Sequence, residues 1–495
     1  MDHVPILMNR MMLQQEQDQD AGKQRRTPGF AAGHRLITKR EVAFQPNAAA
    51  FSLRRSTRHP PIGGSRCINR AGVFLRLIWY VLSPRHHERS LPPMKTISGC
   101  RHVPCRTVRA LVAVCVVSLL RAPLAEAMKG PAPLHLQAGP FGTLDVTGGV
   151  DGYMYALSGA GSSADPGLLG TSKSAGAELM NGLIKIEKPD GLVRFTLQGG
   201  AATPFTLGTA PTPATAQALP TGPLYAAYLT LAPTRDFTIS AGQIGSVEGY
   251  ESAIDWENAN VLTTDLFYVE NGQSLGVTAS YSHGPFGVTA SLGDGFDTGV
   301  WNFLQADVSY APDASNSITI SGATNLGRTG PRTHVYGSAA TPYASAHVGF
   351  GPLSQSPLVN STMIGGFYSY SSGNLNIVPE VQYVYANIDH QVGLNGFSSN
   401  FGAAVFADYH FGASPYSIGA WGEYFASNGP DLWFATPRSQ GVGLSVTPTW
   451  QSKYLFARAD LGYLHLTRPG AAPAYGRSGT GRDQVTGVIE AGLLF

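Results

Sequence analysis

Charge is scarce in this chain. Asp, Glu, Lys and Arg make up 13% of its 495 residues, about half of the roughly 25% usual in soluble domains. Cysteine is scarcer still. The four present, Cys67, Cys100, Cys105 and Cys115, all precede Met128, so the remaining chain can build neither a disulfide nor a thiolate metal site. No run approaches the roughly 18 apolar residues of a transmembrane helix. H-E-x-x-H, a P-loop and paired Cys/His zinc spacing are also missing, which removes the metalloprotease and nucleotide-binding readings.

Glycine (59 residues) and aromatics (10%) are what the chain has instead. Mean hydropathy is near zero, so polar and apolar residues are interleaved rather than blocked. A chain that enters a membrane without a membrane helix must close into a barrel, because lipid offers no partner to backbone N–H and C=O groups.

The small net charge of +2 hides an asymmetry. Residues 1–93 carry 15 basic and 6 acidic residues, whereas residues 128–495 carry 14 basic and 25 acidic. Met94 opens a basic stretch, followed by the apolar run Ala110–Leu120 and the small-residue pattern Ala125-Glu-Ala127. That order is a secretory signal over 94–127, too short in its apolar part for an anchor. Residues 1–93 are Arg-rich and aperiodic, and read as a disordered or non-native extension upstream of a start at Met94. A basic nucleic-acid-binding arm has no use on an exported protein. Residues 128–142 are expected to form a linker.

From about residue 143 the apolar period is two. Sixteen strands are expected, with fourteen to eighteen consistent with the pattern: 143–155, 178–187, 191–201, 223–232, 236–246, 274–282, 285–293, 300–311, 316–325, 360–371, 374–387, 399–411, 416–427, 439–451, 453–465 and 484–495. Their connections alternate between short turns, such as His283-Gly284, and longer loops, such as 202–222, 247–273 and 326–359. Short periplasmic turns facing long external loops are the pattern of an outer-membrane barrel. The expected fold class is therefore all-β, a transmembrane antiparallel up-and-down β-barrel over 143–495.

Parity assigns the faces. Leu455, Ala457, Ala459 and Leu461 share one face of their strand, with Arg458 and Asp460 on the other. The same rule sends Lys185, Arg194, Asp307, Glu380, Asp408, Glu423 and Glu490 inward. A charge on the lipid side would cost roughly 2–4 kcal/mol at mid-bilayer, and nearly every strand charge avoids it. A barrel of sixteen strands is too wide for side chains to fill, so these are expected to be solvated lumen-wall residues. The last strand ends on an apolar face closed by Phe495, the expected signal to the barrel-assembly machinery.

Loop 247–273 is the candidate site. It carries Glu248, Glu251, Asp255, Glu257, Asp265 and Glu270, no Lys or Arg, and the aromatics Tyr250, Trp256, Phe267 and Tyr268. In rank and acidity it resembles the third external loop of general porins, which folds inward and narrows the channel. Glu248, Tyr250, Glu251, Asp255, Trp256 and Glu257 are thus expected at a constriction, with carboxylates facing Arg194 across the pore and favouring cations.

The segment Gly242-Gln-Ile-Gly-Ser-Val-Glu-Gly-Tyr-Glu-Ser252, with Asn258, Asn260 and the returning Ser274-Leu-Gly-Val-Thr-Ala-Ser-Tyr281, resembles the OmpL-like outer-membrane β-barrel porins. That resemblance implies a barrel over about 140–495 and diffusion of small solutes.

The expected function is passive, cation-favouring diffusion of small hydrophilic solutes across the bacterial outer membrane, without enzymatic activity, cofactor or metal. Expected partners are outer-membrane lipid and lipopolysaccharide, the assembly machinery and a second and third copy in a homotrimer. A sugar-selective channel using Tyr250 and Trp256 is the alternative within transport. A surface adhesin displaying loop 326–359 is the alternative outside it. A rim hydrolase is disfavoured because His410 and His465 are isolated in sequence and face.

Overall fold

The computed structural model describes Met128, Leu169 and residues 130–163, 171–215, 224–330, 355–430, 437–470 and 474–495. The signal segment, the basic extension and residues 331–354 of the long loop lie outside them. The strands in chain order are β1 (Leu134–Gln137), β2 (Thr143–Leu157), β3 (Ala175–Lys188), β4 (Val193–Ala202), β5 (Phe205–Thr206), β6 (Leu224–Leu231) and β7 (Phe237–Gly245). There follow β8 (Leu262–Thr263), β9 (Gln273–His283), β10 (Phe286–Gly293), β11 (Phe303–Asp313), β12 (Asn316–Asn325) and β13 (Thr362–Ser372). The chain closes with β14 (Leu375–Ala386), β15 (Ser398–His410), β16 (Tyr416–Asn428), β17 (Gln440–Gln451), β18 (Leu455–Arg468) and β19 (Asp483–Leu494).

Sixteen of these strands form one antiparallel ring, all except β1, β5 and β8. The ring closes where β19 pairs with β2, from Leu494↔Gly149 to Thr486↔Leu157. Each strand expected from the period-two pattern is present, with ends shifted by a few residues. The tight turns depend on glycine: Gly284 (φ +59°) and Gly373 (φ +61°) adopt left-handed backbone that side-chain-bearing residues disfavour.

The seam is staggered. The upper part of β2 pairs with β19, while its lower part, Thr143–Val146, pairs with β1 in a local hairpin (Leu134↔Val146 to Gln137↔Thr143). At the junction, Phe495 and Gly148 exchange two backbone hydrogen bonds of 2.8 and 2.9 Å. The Phe495 ring lies where a Gly148 side chain would project.

Outward residues are apolar and exposed on nearly every strand, including Met154, Ile364, Leu461 and Ile489. So continuous an apolar belt exceeds the few hundred Å² a soluble monomer exposes, and it faces lipid. Aromatic pairs flank it at both ends. Phe286–Tyr310 (4.8 Å) and Tyr409–Phe411 (5.3 Å) lie at the short-turn end, and Tyr383–Tyr385 (5.9 Å) at the long-loop end. These are the interfacial girdles of a membrane barrel.

Candidate functional site

Loop 247–273 folds into the barrel. Short strand β8 within it pairs in parallel with β5 from the preceding long connection, Phe205 opposite Leu262 and Thr206 opposite Thr263. The loop descends far: Arg458, the fourth residue of β18 from its short-turn end, donates to the backbone oxygens of Asp255 (3.2 Å) and Asn258 (3.1 Å).

The wall was shaped to receive it. On β16, an added side chain at Gly419 would meet Ala259 O at 2.5 Å. On β18 one at Gly462 would meet Leu262, and on β15 one at Gly402 would meet Leu266. These inward glycines let loop backbone and side chains lie directly on the sheet. Between them, Asp460 gathers four donors: the backbone N–H groups of Val261 and Leu262 (3.0 Å each) and the hydroxyls of Ser445 and Thr447 (2.7 Å each). Asn260 donates to the same two hydroxyls at 2.9 Å. The Asp265 N–H donates to Glu423 (2.9 Å), and Gln382 donates to Glu270 (2.7 Å).

Apolar contacts seal the arrangement. Leu262, Leu266, Tyr268 and Val269 of the loop join inward residues Val378, Phe406, Trp421, Phe425 and Leu464 in one buried cluster. Tyr250 packs on Phe406 (5.0 Å) and Phe367 (5.5 Å), and its hydroxyl accepts from Asn376 (3.3 Å). Trp256 packs beside Phe456, Leu494 and Leu183. Both rings are partly buried by these contacts.

This location changes the reading of the acidic residues. Asp255, Asp265, Glu248 and Glu270 are buried against the wall, as are the wall groups Glu380, Glu423, Asp460, Glu490 and Arg458. They were expected to be solvated, and the packed loop prevents it. Burial pushes Glu251 up to about 7 and Glu248 and Asp265 up to about 8. Glu270 rises well above the carboxylate range through burial and the neighbouring Glu380. The expected partner of the loop carboxylates also differs. Arg194 stands at the β3–β4 turn, donating to Gly191 O (3.1 Å), while Arg458 forms the ion pair with Asp255.

The opposite wall is different in kind. The inner faces of β4, β6, β7 and β9–β12 present Gln198, Thr230, Ser240, Ser280, Thr289, Ser309 and Thr319, all partly exposed. Their charges are few: Arg194, Asp307 and, on adjoining β3, Lys185 paired with Glu187 at 3.0 Å. Glu257 is the loop acid that stays exposed, accepting from Ser252 at 2.6 Å.

Parity did not single out Asp151, and the motif reading did not single out Ser274. Asp151 is fully buried beside Asp255, bonded by the Asn181 backbone N–H at 3.0 Å and its side-chain amide at 2.9 Å. The doublet Gly148-Gly149 just before it blurs the alternation, and a register shift follows at Gly152. Ser274 stands in Gly272-Gln-Ser-Leu-Gly276, the spelling of a hydrolase nucleophile elbow. That elbow needs a strand-to-helix turn, whereas Ser274 lies inside β9 and accepts from Asn271 (3.1 Å) and Gln305 (3.3 Å). His410 and His465 sit at opposite ends of the barrel, each beside an aspartate, Asp408 at 3.9 Å and Asp483 at 2.8 Å.

A search of curated proteins returns no match. Among solved structures the chain is similar to outer-membrane expressed OmpT of Vibrio cholerae (12% identity, 73% of this chain and 100% of that one, TM-score 0.47). It is also similar to an anion-selective porin from Comamonas acidovorans (10%, 71% and 99%, TM-score 0.47) and to Pseudomonas putida OprB (10%, 71% and 94%, TM-score 0.45). The family model described as "Putative beta-barrel porin-2, OmpL-like" matches residues 143–495. The chain belongs to this OmpL-like family of outer-membrane β-barrel porins.

Proposed function

We propose that small hydrophilic solutes cross between the inward-folded loop and the hydroxyl-rich wall of β4–β12, with only a weak preference for cations. The observation that carries this reading is the asymmetry of the interior. One half is sealed by loop 247–273, and the other keeps part of its polar side chains, Gln198, Thr230, Ser240, Ser280, Thr289, Ser309 and Thr319 among them, partly exposed. Hydroxyls and amides offer both donors and acceptors to an uncharged solute. The carboxylates expected to favour cations lie mostly under the loop, so Glu187, Glu257 and Asp307 face Arg194 and Lys185, a small acidic excess.

Glu187, Glu257, Lys185, Arg194 and Asp307 are then the charges a solute meets, and the other acids of the loop set its position. Single-channel currents of the purified chain in a planar bilayer under a KCl gradient test this. Open steps with a reversal potential slightly on the cation side support it. A folded barrel that passes no current, while loops bind a surface ligand, would move the function to the adhesin reading.

A further inference from the structure

Bases are rare in residues 128–495, 14 against 25 acids, yet four arginines fall in two neighbouring connections at the long-loop end. Arg438 stands just before β17, and Arg468, Arg477 and Arg482 run from the last residue of β18 to the start of β19. The acids of the same two segments are Asp431 and Asp483. All four arginines are exposed. Ion pairs among the described residues include Arg328 and Arg458 but none of these four. Asp483 is engaged otherwise, accepting from the Tyr463 hydroxyl at 2.5 Å and lying 2.8 Å from His465 Nδ1.

Backbone oxygens, rather than acids, gather the arginines. Arg438 stands in a left-handed turn (φ +62°), and its carbonyl accepts from Arg468 Nε at 2.6 Å. Arg468 Nη2 reaches Ser427 O of β16 at 3.4 Å, so this side chain lies across the rim from β18 to β16. Arg482 Nη1 reaches Thr467 O at 3.5 Å. A carbonyl orients a guanidinium without cancelling its charge, so neighbouring cations remain to repel one another until an anion joins them. The guanidinium fork fits the oxygens of a phosphate, which accept two parallel N–H bonds.

The wall below them narrows the choice of anion. Val442, Leu444, Leu461 and Val485 are exposed on the outer face of β17–β19, in the same outward rows as Tyr463 and His465. Cations above an apolar, lipid-facing wall match an amphiphile with an anionic head and acyl chains, whereas a free anion has no use for the lower part. We propose that the long-loop rim of β16–β19 docks a phosphorylated glycolipid of the outer leaflet, of the lipopolysaccharide class. Its phosphate lies among Arg438, Arg468 and Arg482, and its acyl chains run along β17–β19. The surface lies outside the pore, so it depends on the barrel's place in the outer membrane and not on what the lumen conducts.

The test uses the full chain refolded into lipopolysaccharide-free detergent and titrated with fluorescent lipid A in the same micelles. Folding of every variant is read from the compact band on cold-sample gels, which converts to the unfolded band on heating. Saturable binding is expected. It should weaken by about tenfold or more for lipid A stripped of phosphate and for the double variant Arg438→Gln, Arg468→Gln, the loss of charge-assisted hydrogen bonds. Arg482→Gln, a single exposed change, is expected to weaken it less, and Lys453→Gln at the opposite end not at all. Inorganic phosphate at the lipid's concentration is expected not to displace it. Absence of saturable binding, equal binding of the phosphate-free lipid, or unchanged binding in the folded arginine variants overturns the site. Displacement by inorganic phosphate also overturns it, assigning the arginines to free anions at the channel mouth.

Discussion

Trp421 donates its indole N–H to the backbone oxygen of Leu262 at 2.7 Å, joining the wall of β16 to the innermost strand of the loop. Both residues are buried. Beside them Asp460 accepts the neighbouring N–H groups of Val261 and Leu262. The loop is therefore held by its own backbone, and the wall supplies the matching side chains.

Replacing Asp460 with Ala strands those two N–H groups away from water. Each buried group left unpaired costs about 1–3 kcal/mol, so Asp460→Ala is expected to lower the folded barrel's unfolding temperature and to produce larger, noisier channel openings. Gel conversion temperature and single-channel variance check it. Quiet, unchanged openings would show that the loop does not depend on this anchor.

The glycine seats differ in how they can relax. At Gly419 a methyl group meets a loop carbonyl at 2.5 Å, and at Gly462 it meets Leu262 Cδ1 at the same distance, the end of a side chain that can rotate. Gly419→Ala is expected to destabilise by more than Gly462→Ala, within the roughly 1–3 kcal/mol range of overpacked cores. Chemical denaturation of both variants in the same detergent ranks them.

Loop acidity predicts a pH response. Glu251, Glu248 and Asp265 are raised to about 7, 8 and 8 from ordinary values near 4. The folded state therefore favours their neutral forms. Their contribution to stability is full below the unfolded values and is lost as pH rises through about 7–8. Loop seating is expected to be firmer at pH 5 than at pH 9, with channel noise increasing between pH 6 and 9. Glu251→Gln is expected to flatten that profile, measured as current variance against pH.

In the proposed reading, selectivity rests on the exposed charges. Arg194→Gln is expected to move the reversal potential toward cations and Asp307→Asn toward anions, whereas Asp265→Asn, buried under the loop, leaves it nearly unchanged. Reversal potentials under a salt gradient separate the three. A large shift in Asp265→Asn would place that carboxylate in the solute's path instead.

The strands were legible because a wall wetted on one side and lipid-facing on the other imposes a period of two. Parity likewise placed Arg458, Asp460 and Glu490 inward. It did not reveal height along the barrel or which loop lies opposite, so the pairing of Asp255 with Arg458, 203 residues apart, was assigned to Arg194 instead. A clue to the filled half was present in the sequence: Trp421 and Phe425 of β16 and Phe456 and Leu464 of β18 are large apolar residues on the inward face. A water-filled wall has no use for them, and they mark the strands on which the loop rests.

The staggered seam bears on how the ring is made. Val485 N–H reaches Ser158 Oγ across 327 residues, so the long side of β2 must wait for β19 while the intervening chain is threaded. A bare strand edge held open that long invites pairing with another molecule. Because β1 folds back on β2 within a few residues, part of that edge is occupied from the start. The hairpin acts as a temporary selvedge, leaving the incoming strand a shorter stretch to find and a fixed place to stop.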